Sequence, residues 1–203
     1  MPPVVVLGSR NRKKLQEIID ILGDLPLELR DLTSWPDAPE VVEDGTTFED
    51  NARKKAADLA QALSHWVIGE DSGLVVPALN GRPGVYSARY AGKHGDDAAN
   101  NAKLIREMAH LKGDDRAGYY VSTAVLADPA GKVVAQVEGR CHGLILDAPR
   151  GTGGFGYDPL FLVPEHGKTF GELPLEVKQS MSHRGNAFKQ LRPMLERVVV
   201  GGK

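Results

Sequence analysis

Four stretches of the chain combine residue types suited in turn to a phosphate, a metal ion, a flat ring and its polar edge. Ser9-Arg10-Asn11-Arg12-Lys13-Lys14 lies between the apolar run Val4-Val5-Val6-Leu7 and a segment in which Leu15, Ile18, Ile19 and Leu22 recur at helical spacing. A helix that starts here presents unpaired N–H groups and the positive end of its dipole, which suits a phosphate. Ser9 and Asn11 can donate hydrogen bonds to it, and Lys14 adds a mobile charge. The loop is not a Walker A, because G-x-x-x-x-G-K-[ST] is absent. Glu43-Asp44-Gly45 and Glu70-Asp71-Ser72-Gly73 place carboxylates at expected strand ends. They are suitable oxygen ligands for Mg²⁺, which shares its ligands with substrate phosphates.

The third stretch, Gly151-Thr152-Gly153-Gly154-Phe155-Gly156, satisfies G-x-G-x-x-G literally. A dinucleotide fingerprint must open a helix, whereas Tyr157-Asp158-Pro159 follows here and Asp-Pro resists helix. A glycine loop that holds Phe155 and Tyr157 suits instead a backbone lying against a flat ligand, with aromatic stacking on a base. The fourth is Lys178 with Ser182-His183-Arg184-Gly185, where cationic donors can meet ring acceptors, a carbonyl or a phosphate. Taken singly, each stretch also reads as a helix cap, a turn, packed rings or a solvated basic cluster. His65, His94, His110, His142 and His166 show no ligand spacing, and H-E-x-x-H and G-x-S-x-G are absent, so zinc and serine hydrolases drop out.

The elements that must position these residues follow from periodicity. The opening reads strand, tight loop and a helix stopped by Gly23. Residues 27–29 suggest a second strand and 31–45 a loop. Thr46 with Glu49 predicts a capping box before a helix carrying Ala52, Ala56, Leu59 and Leu63. Residues 66–69 read as a strand ending at Glu70, and 74–79 as another that Pro77 confines to an edge. Asp96 or Asp97 caps a helix carrying Leu104 and Met108. Residues 119–127 and 133–137 flank Asp128-Pro129-Ala130-Gly131 as a hairpin. Residues 143–146 and 160–163 add short strands, Thr169 with Glu172 suggests a second capping box, and the last helix carries Ala187, Phe188, Leu191 and Leu195. A crossover start with a hairpin predicts a mixed α/β sheet flanked by helices.

Composition bounds the function. A chain of 203 residues with 41% hydrophobic residues buries enough surface to fold without a disulfide or structural metal. With 25 Lys+Arg against 27 Asp+Glu it lacks the broad positive field of a general nucleic-acid or polybasic membrane binder. Cys141 is the only cysteine, which excludes an internal disulfide and a Cys-rich zinc site. With no signal peptide and no apolar span of membrane length, a cytoplasmic location is expected.

The order and spacing of the stretches are more specific than any one of them. S-x-N-x-x-K at 9–14, E-x-G-x-T-F at 43–48, Glu49-Asp50-Asn51-Ala52, D-S-G-L at 71–74, P-G-x-x-S-A-R at 83–89, G-G-F-G-Y-D-P at 153–159 and S-H-R-G at 182–185 together resemble the inosine triphosphate pyrophosphatase family over residues 4–195. The resemblance implies Mg²⁺-dependent hydrolysis of ITP, dITP and XTP to the monophosphate and pyrophosphate. It also implies one two-lobed domain over 1–203, an elongated mixed sheet with a central substrate cleft, and a homodimer. Carried onto this chain, Ser9, Asn11 and Lys14, within the basic run that includes Arg10, Arg12 and Lys13, hold the triphosphate. Asp71 is the catalytic carboxylate and a metal ligand, with Glu43 as its partner on the metal. Ser72 touches the substrate, Phe155, Gly156, Tyr157 and Asp158 line the base pocket, and Lys178, His183 and Arg184 complete it. Glu70 stands where many members have Asp, and Arg10 where many have Gly. The alternatives are a pyrophosphatase for other modified nucleotides, which the two purine-type motifs disfavour, and a non-catalytic nucleotide or RNA binder, which the carboxylates disfavour.

Overall fold

Three valines and a leucine form β1 (Val4–Leu7), and their alternation sets the first layers. Val5 and Leu7 pack with α1 (Arg12–Leu22) and α5 (His183–Leu195), whereas Val6 packs with α2 (Phe48–Leu63). The structure, a computed structural model, describes residues 1–201. The remaining elements are β2 (Glu28–Asp31), β3 (Trp66–Val75), α3 (Asp97–Glu107), β4 (Ala117–Ala127), β5 (Val133–Ile145), β6 (Phe161–Val163), β7 (Lys168–Thr169) and α4 (Leu175–Met181).

The seven strands form one sheet in the order β2-β1-β3-β4-β5-β6-β7. β1 runs parallel to β2 and β3, while β6 is antiparallel to β5 and β7. Asp128 closes the β4–β5 hairpin by accepting from the N–H groups of Ala130 and Lys132. The mixed sheet flanked by helices agrees with the periodicity.

The chain divides into two compact units. The first comprises residues 1–71, 122–139 and 183–203, the second 72–121 and 140–182. The first has two apolar layers, one on each face of its strands. Ala124, Leu126 and Ile68 join α1 and α5, while Val125, Ala127 and Val67 join α2. The second is built on a single cluster in which Tyr120, Phe161 and Phe170 stack around Leu74, Leu104 and Met108.

Local expectations fail at three places. The cap of α2 is Thr47, one residue later than Thr46, and its hydroxyl accepts from Asp50 N at 3.0 Å. Glu49 turns outward to Arg53. Strand β3 does not end at Glu70 but runs through both acids to Val75, because each carboxylate finds partners inside the protein. Thr169 and Glu172 form one arm of the expected box, Thr169 N to Glu172 Oε2 at 2.9 Å, but they stabilise a turn after β7 and no helix starts there. α4 begins at Leu175 without a side-chain cap.

Candidate active site

The first helix start forms as its sequence dictates. Asn11 Oδ1 accepts from Lys13 N and Lys14 N, and Ser9 Oγ accepts from Asn11 N, so both side chains preorganise the loop. The first turn of α1 holds no acid, which leaves its positive end to Arg12, Lys13 and Lys14. Arg10 is not among the residues with left-handed backbone, which outside glycine are Ser64 and Asn80 of the described residues. The position therefore has no need of glycine, and Arg10 reaches Ala38 O instead.

β3 then sets two neighbouring acids on opposite faces, as its period of two requires. Glu70 faces α1 and α5. Its Oε2 is 3.0 Å from Lys14 Nζ, and its Oε1 accepts from Ser122 Oγ at 2.9 Å and from Arg184 Nη2 at 3.0 Å. Arg184 Nη1 holds Glu17 in turn. Burial alone would push the Glu70 carboxyl up. Arg184, then Lys14 and Lys55, outweigh it and hold the group well below its ordinary range.

Asp71 faces α2. Its Oδ2 accepts from Asn51 Nδ2 at 3.0 Å, and Asn51 Oδ1 accepts from Gly45 N at 2.8 Å. Asn51 thus ties the Glu43-to-Phe48 segment to Asp71. Lys55 Nζ stands 3.1 Å from Glu43 Oε2 and 3.7 Å from Asp71 Oδ1, so the two carboxylates share one cation. Burial pushes the Asp71 carboxyl up, Glu43 adds to that, and Lys55, Lys14 and Asn51 only partly oppose it. Gly69 makes this approach possible, because a Cβ there would lie 2.3 Å from Ala52 O and 2.6 Å from Ala56 N on α2.

Glu43 and Asp71 suit a hard divalent cation. They are oxygen donors that already converge on one positive charge. Among the described residues no group of three or more His, Cys, Asp or Glu forms a cage. Mg²⁺ needs none, since one or two carboxylates plus phosphate oxygens suffice. Glu70, on the opposite face of the strand, is engaged by Lys14, Ser122 and Arg184.

Ser72 follows Asp71 in β3 as the first residue of the second unit and is half-buried. Within that unit Asp158 Oδ2 accepts from Phe155 N at 2.9 Å and from Lys178 Nζ at 2.6 Å. The ammonium group lies 5.1 Å from the centre of the half-buried Phe155 ring. Tyr157, expected to line the base pocket, lies deeper than Phe155. It is buried in the apolar cluster, with its hydroxyl donating to Ser87 O at 2.8 Å, so it braces the loop.

His183 opens α5 and is buried in the first unit. Arg184, next to it, is buried as well. Two of its guanidinium nitrogens, expected to read the base, are engaged by Glu17 and Glu70. It anchors a carboxylate layer.

Sequence reasoning passed over Lys55, Glu17 and Ser122 and gave Asn51 no role. A signal existed for two of them, since Asn51 and Lys55 share one helix face with Ala52, Ala56 and Leu59 and are buried polar residues on it. Glu17 and Ser122 carry no local signal, because their partners lie 167 and 52 residues away.

A mixed α/β sheet whose third strand sets two acids against lysines, beside a basic helix start, defines a phosphate- and cation-handling class of protein. The chain belongs to the Ham1 family, whose profile matches residues 5–194. It is 51% identical over 191 residues to a dITP/XTP pyrophosphatase of Geobacter sulfurreducens, covering 94% of this chain and 96% of that one. It is 50% identical to the dITP/XTP pyrophosphatase of Rhodopirellula baltica, with 96% and 94% covered. Among solved structures, a HAM1 protein from Coxiella burnetii superposes with a TM-score of 0.87 at 36% identity, covering 95% of this chain and 98% of that one. The Staphylococcus aureus Ham1 protein gives 0.85 at 38% identity, with 98% and 100% covered. No helix of the described residues is long and apolar enough to cross a membrane.

Proposed function

We propose that the protein hydrolyses non-canonical purine nucleoside triphosphates, namely ITP, dITP and XTP, to the monophosphate and pyrophosphate. The observation that carries this reading is Asp71, a buried carboxylate that shares the Lys55 cation with Glu43. The names of the relatives support the substrate class. Attack of water on the α-phosphorus breaks the bond to the bridging oxygen, and pyrophosphate leaves. Asp71, its carboxyl pushed up by burial, orients that water and takes its proton. Ser9, Asn11 and the α1 N-terminus hold phosphate oxygens, and Lys14 adds positive charge to the phosphates. Glu43 and Asp71 would hold Mg²⁺, which when bound neutralises phosphate charge.

In the second unit, Lys178 offers a donor to the 6-oxo group, and Asp158 an acceptor to the adjacent ring N–H. Hypoxanthine and xanthine match that pair, whereas adenine presents a donor and an acceptor in the wrong order. Sites that leave a buried partner unpaired discriminate by about 10⁴-fold. Phe155 supplies a ring for stacking. We take the enzyme to be a single catalytic domain over 1–203, cytoplasmic and homodimeric, as the family resemblance implies.

The test is product analysis with ITP, dITP, XTP, ATP and GTP, with and without Mg²⁺. Pyrophosphate and monophosphate from the inosine and xanthine nucleotides alone, only with the metal, is the expected result. Stepwise release of phosphate, or equal turnover of ATP, would overturn it.

A further inference from the structure

The start of α3 does more than begin a helix. Asp96 caps it, accepting from Ala99 N at 3.0 Å, which leaves the next residue for another use. Asp97 Oδ2 accepts from Gly156 N at 2.9 Å, and Asn101 Nδ2, one turn later on the same face, donates to Gly156 O at 2.8 Å. Asn101 Nδ2 also donates to Asp97 O at 2.8 Å, which fixes the amide's orientation, since both its partners are carbonyls. Between them Asn100 accepts from Ala91 N and donates to Ala88 O, holding the neighbouring loop.

Gly156 needs such a grip. Its φ is +63°, and a Cβ placed there would find nothing closer than the Tyr120 hydroxyl at 4.0 Å, so it has no side chain to pack and is held at its own N–H and C=O by Asp97 and Asn101. The residues beside it carry the base-facing groups of the reading above. Phe155 and Asp158 are tied to each other, and Lys178 is tied to Asp158. This small cluster is tied to the rest of its unit at several points: Gly171 N donates to Asp158 O at 3.0 Å, the Tyr157 hydroxyl donates to Ser87 O, and Gly156 is the point at which α3 holds it.

We propose that Asp97 and Asn101 are positioning residues that set base selectivity by clamping both peptide groups of Gly156. The inference rests on the proposed function and deepens it, because α3 touches neither the phosphates nor the reacting atoms in that reading. Releasing the clamp lets the Phe155-to-Asp158 loop shift. The donor–acceptor order presented to the base is then blurred, while the chemistry at Asp71 is unchanged.

The experiment compares kcat and KM for ITP and ATP in the wild type, Asp97→Ala, Asn101→Asp and Asp97→Asn, with hydrogen exchange of residues 153–158 on each. Asn101→Asp keeps the shape but sets a carboxylate against two carbonyls. Asp97→Asn keeps an acceptor for the Gly156 N–H. The expected result is an ITP-over-ATP ratio of kcat/KM that falls about tenfold in the first two variants, the scale of one hydrogen bond to a charged group. The loss should fall mainly on the KM for ITP, with faster exchange in the loop, and Asp97→Asn should restore the ratio. If Asn101→Asp does not fold, Asp97→Ala and its rescue decide alone. Faster exchange with an unchanged ratio, or an equal loss for both nucleotides, would overturn the clamp while leaving the proposed function standing. A wild type that does not prefer ITP would overturn both.

Discussion

Glu70 and Asp71 are adjacent in the sequence and opposite in environment. On one face of β3, Glu70 meets Arg184, Lys14 and Ser122, and cations outweigh the cost of burying it. On the other, Asp71 meets Asn51 and a Lys55 that Glu43 also claims, and burial wins. One carboxylate is locked as a structural anion. Its neighbour is held in a state that gains from an added cation or proton, as a base and metal ligand requires. Charge count alone would not separate them; the separation comes from which face each residue occupies.

The largest effect that breaks this contrast is Asp71→Asn. Pyrophosphate release should fall on the order of 10²–10⁴-fold, the range for a general base. Thermal stability should hold or rise, since the amide removes a charge that burial disfavours. Mg²⁺ should raise the melting temperature of the wild type and not of this variant. A variant that turns over normally would remove Asp71 from catalysis.

Glu70→Gln should do the reverse. Removing one partner of a buried pair leaves Arg184 with Glu17 alone, and denaturant titration should register a loss of about 3–5 kcal/mol. The pH dependence carries opposite signs at the two acids. The Glu70 value is lowered on folding, so its stabilisation is present above the ordinary 4.5 and is lost as pH falls through the folded value. Glu70→Gln should therefore flatten the acid side of the stability profile. The Asp71 value is raised, so its contribution is full below 3.8 and is lost as pH rises through the folded value.

Lys55→Met is the gentlest of the three. Lys55 is the largest influence favouring ionised Asp71, so the acid limb of the turnover profile should move to higher pH. Stability should change by less than about 1 kcal/mol at the Glu43 contact, since Glu43 is 40% exposed. An acid limb that stays in place would dissociate Lys55 from the titration of Asp71.

Much of the frame was legible because it is local. The apolar run of β1, the spacing of α1 and the Asp128 hairpin each show their pattern within a few residues of sequence, although β1 finds its backbone partners in β2 and β3. The two acids of β3 were misread as a strand end, since polar residues break a hydrophobic run. What keeps them in the strand arrives from α1, α2, β4 and α5. The ion pairs of Arg184 were illegible for the same reason: its carboxylates lie 167 and 114 residues away in the chain. Thr47 was missed by one position, because two successive threonines offer equal caps and only the entry angle of the chain selects between them.

The first unit is assembled from three separate lengths of chain, and its last length begins at residue 183. Its buried anion at Glu70 meets its guanidinium partner only 114 residues further on. As the chain leaves the ribosome, β1, α1, α2 and β3 emerge well before α5, so the layer that α5 covers stays open until residues 183–195 have emerged. The second unit draws on residues 72–121 and 140–182 and has all its chain before then. A stop after residue 191 would remove Leu195 and Val199 from that layer but spare Arg184. A stop just before residue 183 would take away all of α5 and with it Arg184, the cation that Glu17 and Glu70 share. Nascent chains of these two lengths should therefore differ sharply in resistance to protease.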